Sequence, residues 1–270
     1  MRYNRDLLTA LLMGFVSGYT TGNTKVRFNT FGGMMTGNTV KLGITMAQGD
    51  WPWTGVFAAS ISMFFIGTIF ALYMIQKIGE LRFQHLFLLI FMACFILTDG
   101  LALAVDTTPE SYNIYASLVS SLAAFALGAQ NLLSQKSGVI KANTTFMTGN
   151  IQKMAEAVWN AWQKRNKGGL SAADKRAAAV LFCTWISYIG GGVCGAATAA
   201  VKTFHWSLTP VSVLYAIGMA SMQIEPPKEK PKDKPKPAAA GAAVEQVMAT
   251  PNAMVVEVTP GAQAQQASAA

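Results

Sequence analysis

A short polar phrase occurs twice in this sequence and carries the residues best suited to chemistry. Met-Thr-Gly-Asn occupies residues 35–38 and again residues 147–150, and a lysine follows each asparagine by three residues. Threonine and asparagine cap helix starts, and glycine lets the backbone approach a ligand closely. Free N–H groups and the positive end of a helix dipole then suit an anion or an electron-rich solute. The candidate substrate-binding residues are Thr36, Gly37, Asn38, Lys41, Thr148, Gly149, Asn150 and Lys153.

The two lysines leave two interpretations open. We expect Thr36 or Asn38 to cap a helix over residues 39–48, with a second helix over residues 151–163. Each lysine would then lie in a first turn, where a cation opposes the helix dipole by about 0.3–1 kcal/mol. The repetition of this unfavourable placement favours a role in holding an anion. The alternative is that both ammonium groups reach water or bond backbone carbonyls.

The rest of the sequence predicts that membrane-spanning helices position the two phrases. Hydrophobic residues make up 52% and charged residues 13% of the chain, whereas about a quarter of residues are charged in soluble domains. Blocks near twenty residues long with almost no charge are typical of spanning helices. Six such blocks occur, at residues 7–22, 54–76, 83–105, 113–133, 177–201 and 206–222.

The doubled phrase divides these blocks into two internal repeats, residues 1–112 and 113–223. Gly14-Phe15-Val16-Ser17 and Gly128-Ala129-Gln130-Asn131 are similar phrases near the ends of the two first spans. We predict an all-α integral membrane protein of six transmembrane helices. These form two inverted three-helix repeats, each with a re-entrant or interfacial half-helix. If the phrase crosses the membrane instead, each repeat has four crossings and the repeats are parallel. The positions of Lys and Arg favour six crossings.

The charge pattern also predicts the orientation. Most Lys and Arg residues lie on one side in the six-crossing arrangement, so we expect both termini to be cytoplasmic. Residues 224–270 are rich in Pro, Lys and Ala and have no apolar periodicity, which predicts a disordered cytoplasmic tail. The plasma membrane is the expected location. Helix 151–162 is amphipathic, so it is also compatible with lying along the membrane surface.

Three further polar residues lie inside predicted spans. Asp99 is an intramembrane carboxylate, which favours a role as a proton or cation site. Its alternative is a solvated position near the external membrane face. Ser17 and Asn131 are candidates for lining a pore, or for hydrogen bonds between helices. These three are the possible coupling or pore-lining residues.

Several classes of function are not indicated. The basic residues lie between hydrophobic blocks and in the tail, which argues against nucleic-acid binding. We find no His/Asp/Glu cluster with metal-ligand spacing, no nucleophile–base pair and no phosphate-binding P-loop. The sequence therefore predicts no enzyme, no metal and no cofactor. The expected partners are the lipid bilayer, a small anion or polar solute, and a second copy through glycine-rich helix faces.

The phrases "FGGMMTGNTVKLG", "GAQN" and "TTFMTGN" together resemble the YoaK-type family of membrane proteins of unknown function. The resemblance covers about residues 7–222 and implies the repeated membrane architecture. That family usually has an aspartate where this chain has Ser17. The leading expectation is a small secondary transporter or channel for an anion or small polar solute. The alternative is a structural or regulatory membrane protein that transports nothing.

Overall fold

The computed structural model of this chain describes residues 2–105, 114–136, 147–163, 171–201 and 205–222. Its helices are α1 (Arg2–Phe28), α2 (Met35–Ala47), α3 (Trp51–Ile78), α4 (Glu80–Ala104), α5 (Ile114–Val119), α6 (Ser121–Lys136), α7 (Met147–Gln163), α8 (Ala172–Ala200) and α9 (Thr209–Met222). No strand occurs in these ranges. The predicted tail over residues 224–270 lies outside them.

Four of these helices are long and apolar enough to cross a membrane. Within the described ranges they are Trp51–Ile78, Glu80–Ala104, Ser117–Lys136 and Asp174–Ala200. They match the predicted blocks at residues 54–76, 83–105, 113–133 and 177–201. The other two predicted blocks lie in α1 and α9. Of these, α9 is apolar but short, over Thr209–Ala220, and α1 carries a polar stretch near its end. The chain is thus a multi-pass helical protein suited to a lipid bilayer.

Local sequence signals fix several helix ends. The carboxylate of Asp50 accepts a hydrogen bond from the Trp53 N–H at 3.3 Å, and a proline stands in the first turn of α3. Gly79 has a φ of 83°, a backbone conformation that glycine adopts without steric cost. This residue separates α3 from α4, so the two long helices are joined by almost no loop.

Close glycine contacts and aromatic stacking hold the helices together. α1 packs against α8 and α9, α3 against α6, and α4 against α6 and α9. A β-carbon added to Gly18 or Gly195 of the α1–α8 pair would overlap backbone atoms of Tyr188 or Tyr19, so glycine is required there. Between α4 and α9, the Phe91 and Tyr215 rings stack with centroids 3.9 Å apart.

Candidate functional site

The first Met-Thr-Gly-Asn phrase lies inside a helix rather than ahead of one. α2 begins at Met35, and the N-cap residue Met34 makes no side-chain capping bond. The Met34 carbonyl already accepts hydrogen bonds from the Gly37 and Asn38 N–H groups, at 3.1 and 3.4 Å. The expectation that Thr36 or Asn38 caps a helix starting at residue 39 is therefore wrong. Lys41 lies nearly two turns into α2, beyond the first turn in which the dipole argument placed it.

Asn38 clamps the chain that precedes its helix. Its amide Nδ2 donates to the Phe31 carbonyl at 2.8 Å, and its Oδ1 accepts from the Phe31 N–H at 3.0 Å. The Gly32 N–H donates to Thr24 Oγ1 of α1 at 2.8 Å. Asn38 is fully buried, so both ends of its amide are used in fixing the segment between α1 and α2.

The other two residues of the first phrase differ in their surroundings. Thr36 is exposed. A β-carbon at Gly37 would approach the Phe31 ring to 2.8 Å, which explains a glycine beside this clamp.

The second phrase occupies the corresponding place at the start of α7. Asn150 is fully buried, as Asn38 is. Gly149 is partly buried and Lys153 is exposed, while the side chain of Thr148 lies outside the description. Within the described ranges α2 packs against α3 and α7 packs against α8, with no extensive packing between α2 and α7. Each copy of the phrase therefore packs mainly within its own half of the chain.

Lys41 instead shares an acceptor with Lys25, a residue that sequence reasoning did not select. Lys41 Nζ donates to Asn29 Oδ1 at 2.9 Å, and Lys25 Nζ donates to the same oxygen at 2.5 Å. Asn29 follows the last residue of α1 and has a φ of 55°. Asparagine tolerates this left-handed conformation and is common just past helix ends. That capping preference was the one signal in the sequence that pointed to Asn29.

Asp99 forms a buried ion pair and caps a helix. Its Oδ1 accepts from Arg27 Nη1 at 2.5 Å, with the Asp99 side chain fully buried and that of Arg27 9% exposed. Its Oδ2 accepts from the N–H groups of Leu208 and Thr209 at 2.9 and 2.8 Å. The Thr209 hydroxyl donates to the same oxygen at 2.9 Å. The alternative of a solvated Asp99 is wrong, because the fold encloses the carboxylate at the start of α9.

The ion pair continues into a polar network between α1, α8 and α9. Ser207 Oγ accepts from Arg27 at 3.2 Å and from Asn23 Nδ2 at 2.8 Å. The Tyr19 hydroxyl donates to the Ser207 carbonyl at 2.7 Å. Asn23 Oδ1 and Arg27 Nη2 are buried without a partner in the described part of the chain. The network joins distant segments of sequence at one end of the helix bundle.

A second buried polar contact lies between α1 and α6. Gln130 Nε2 donates to Ser17 Oγ at 3.1 Å and approaches the Met13 sulfur at 3.7 Å. The carbonyl oxygens of Gln130 and Asn131 are buried and have no partner among the described residues. The structure thus brings the predicted pore-lining residue Ser17 against Gln130 of α6, and it buries the predicted residue Asn131 in the same helix.

Within the described ranges, no group of three His, Cys, Asp or Glu side chains is placed to bind a metal ion. Cys94, Cys183 and Cys194 are free thiols. The site features are therefore amide, hydroxyl, ammonium and one ion pair, which recognise charge and hydrogen bonding.

Comparison with known proteins matches the sequence of this chain to a family without an assigned activity. The sequence pattern of that family covers residues 9–221, which span α1 to α9. Neither the curated proteins nor the solved structures contain a match to this chain. The match covers more than half of the chain, so this protein belongs to the family described as "Protein of unknown function (DUF1275)".

Proposed function

We propose that the protein is a small secondary transporter or channel, without enzymatic activity, for an anion or small polar solute. The observation that carries the proposal is the buried contact between Ser17 of α1 and Gln130 of α6. The side-chain carbonyl oxygens of Gln130 and of the following residue Asn131 are buried without a partner in the described part of the chain. A buried carbonyl without a hydrogen bond costs about 1–3 kcal/mol. Water or a small polar solute that donates hydrogen bonds would remove this cost. The anion alternative is supported instead by the ammonium donors of Lys25 and Lys41 beside Asn29.

The pairing of the helices supports two related halves, which we propose are the inverted three-helix repeats of a six-crossing arrangement. The first helix of each half packs on the second long helix of the other, α1 on α8 and α6 on α3. Four close backbone contacts follow the same exchange: Gly18 with Tyr188, Gly128 with Phe64, Gly191 with Phe15, and Gly67 with Phe125. A pseudo-two-fold axis between repeats would produce this exchange. In this exchange Gly18 is the counterpart of Gly128. The similarity of the two sequence phrases had instead paired Gly128 with Gly14, one helical turn earlier in α1.

The two short helices fit the half-helices of this architecture. α2 has 13 residues and rises about 20 Å, less than the roughly 30 Å of a bilayer core. Its exposed residues include Val40, Ile44 and Met46 and no charged side chain, which suits a lipid environment. α7 exposes Val158 and Trp162 on one face and charged residues on another, which suits an interfacial helix.

The same proposal includes cytoplasmic termini in the plasma membrane and the YoaK-type resemblance. In six crossings the junction between α3 and α4 is cytoplasmic. In a cysteine-free variant carrying Lys77→Cys, a membrane-impermeant thiol reagent should label this residue only after the membrane is opened. Labelling from outside would contradict the six-crossing arrangement.

Transport is tested by reconstituting the full chain and measuring uptake of labelled small anions and small polar solutes. Gln130→Leu should abolish uptake, because it removes the amide and fills its position with apolar atoms. Leu89→Ala is the matched control, because Leu89 is 65% exposed on the outside of α4. Uptake that is equal in Gln130→Leu and wild type would remove the proposed pathway, and no uptake across the panel would contradict transport.

A structural membrane protein is the second candidate, and the Asn38 clamp favours it. Both ends of this amide are consumed by the Phe31 backbone, so the phrase serves folding at that position. The absence of uptake combined with a fully folded protein would support this candidate.

A further inference from the structure

Two lysine side chains converge on a single neutral oxygen at the junction of α1 and α2. Lys25 Nζ lies 2.5 Å and Lys41 Nζ 2.9 Å from Asn29 Oδ1. The two ammonium nitrogens are therefore no farther apart than the sum of these distances. Both side chains are partly buried. Like charges this close repel each other, and an amide oxygen does not neutralise them.

Neither ammonium group has a carboxylate partner among the described residues, where the Asp99 carboxylate is taken by Arg27. Each ammonium carries three N–H donors and uses one on Asn29. The remaining donors of two adjacent cations match a group that is anionic and has several acceptor oxygens.

Aromatic rings hold the two cations in place before any ligand arrives. Lys25 Nζ lies 5.0 Å from the centroid of the Phe31 ring, and Lys41 Nζ lies 5.5 Å from that of Phe57. Phe31 is itself fixed by the Asn38 clamp. Ordering the donors in advance reduces the entropy lost on binding. The first phrase thus supports the cluster of Lys25, Lys41 and Asn29 in two ways. Asn38 fixes Phe31, and the helix that the phrase begins carries Lys41 three residues after Asn38.

We propose that Lys25, Lys41 and Asn29 form a binding site for a phosphate-type oxyanion, either free in solution or as a lipid headgroup. The proposal deepens the proposed function, on which it rests for the role of the anion as a substrate. The oxyanion bridges the two ammonium groups and neutralises their repulsion. Lys153 takes no part, because it is exposed on α7 and does not lie in this cluster.

The test uses the purified full-length protein in a neutral detergent. Inorganic phosphate is titrated while a bulky sulfonate salt keeps the ionic strength constant. The unfolding temperature is measured by the exposure of the buried Cys94 thiol, in a variant that carries Cys183→Ser and Cys194→Ser. Phosphate should raise the unfolding temperature saturably. Lys25→Gln and Lys41→Gln should each weaken the apparent phosphate affinity about tenfold or more, the loss expected for one charge-assisted contact. Lys153→Gln, the matched lysine of the second phrase, should bind as wild type does.

Folding of the variants is measured separately from binding. Without phosphate, Lys25→Gln and Lys41→Gln should unfold at or above the wild-type temperature, because glutamine keeps a donor and removes the repulsion. Unfolding well below the wild-type temperature would show that the lysines serve packing, and would overturn the site.

Nanodiscs distinguish the two sources of the anion. In phosphate-free buffer, phosphatidic acid added to phosphatidylcholine nanodiscs should stabilise the wild type if the ligand is a headgroup. Stabilisation by inorganic phosphate alone assigns a soluble anion. If neither stabilises, or if Lys153→Gln loses binding as Lys41→Gln does, the site is refuted. Phosphate binding without uptake in proteoliposomes would contradict the transport proposal but support the binding site. Uptake without phosphate binding would support transport and contradict the binding site.

Discussion

The buried ion pair between Arg27 and Asp99 provides the sharpest test of how α1, α4 and α9 are held together. Asp99→Asn removes the charge that faces Arg27 and weakens the acceptor for Leu208 and Thr209 at the start of α9. Arg27→Gln leaves the opposite defect, a buried carboxylate without its cation. Their double variant places two neutral amides at the same positions.

The expected magnitudes follow from burial. The Asp99 side chain is fully buried and the Arg27 side chain is 9% exposed, so solvent screens the pair little. Removing one partner of such a pair costs about 3–5 kcal/mol of unfolding free energy, because the other charge stays buried alone. Removing both leaves no stranded charge. We therefore expect the double variant to lose about 2–3 kcal/mol less than the sum of the two single variants.

The assay is unfolding in mixed micelles with increasing sodium dodecyl sulfate, followed by exposure of the Cys94 thiol in the background with serine at Cys183 and Cys194. Asp50→Asn is the control, because Asp50 caps α3 through the Trp53 N–H and asparagine caps a helix equally well. This control should change the free energy by less than about 0.5 kcal/mol. Additive single variants, or an Asp99→Asn cost no larger than that of Asp50→Asn, would refute the reasoning.

Three further predictions concern packing, the clamp and pH. Gly18→Ala should destabilise the protein by about 1–3 kcal/mol, because the added β-carbon meets the Tyr188 backbone. Gly43→Ala places its β-carbon in open space and should stabilise α2 by up to about 1 kcal/mol. The same unfolding assay checks both variants. Asn38→Leu should cost about 2 kcal/mol or more because the Phe31 N–H and carbonyl lose their partners, with exposed Thr36→Val as a control near zero. Burial and then the neighbouring Lys41 lower the pKa of Lys25, which lies beyond the predicted span 7–22, to about 8. Its ammonium is charged below that pH, so phosphate affinity should be full near pH 7 and fall about tenfold by about pH 9, and a flat profile in the phosphate titration would contradict the role of Lys25.

The long apolar elements were predictable because a bilayer demands uninterrupted apolar helices, and charge interrupts them. For this reason the predicted block at residues 54–76 lies within α3, and the block at residues 177–201 lies within α8 except for its last residue. The start of α2 was misplaced by about one turn. The sequence preference for threonine and asparagine at caps ignores the Met34 carbonyl, whose hydrogen bonds begin the helix earlier.

The polar contacts were not predictable because they depend on tertiary structure. Asp99 meets Leu208 and Thr209 across more than a hundred residues of sequence, and no local pattern connects these positions. Lys25 resembles an ordinary basic residue at a helix end, where it favours the dipole. Only the left-handed Asn29 and the return of α2 bring Lys41 beside it.

The two copies of the phrase share a buried asparagine but differ in the surroundings of the lysine that follows it. The asparagine is therefore linked to folding, and only the lysine of the first copy to anion binding. Asn38 and Asn150 are both fully buried, so the repeated asparagine occupies an interior position in each half. The lysine that follows is packed on Phe57 in the first copy and exposed in the second. A symmetric anion site between the copies would require both lysines in equivalent surroundings. A one-sided site with Lys25 requires only Lys41, and it therefore agrees better with the asymmetry of the chain.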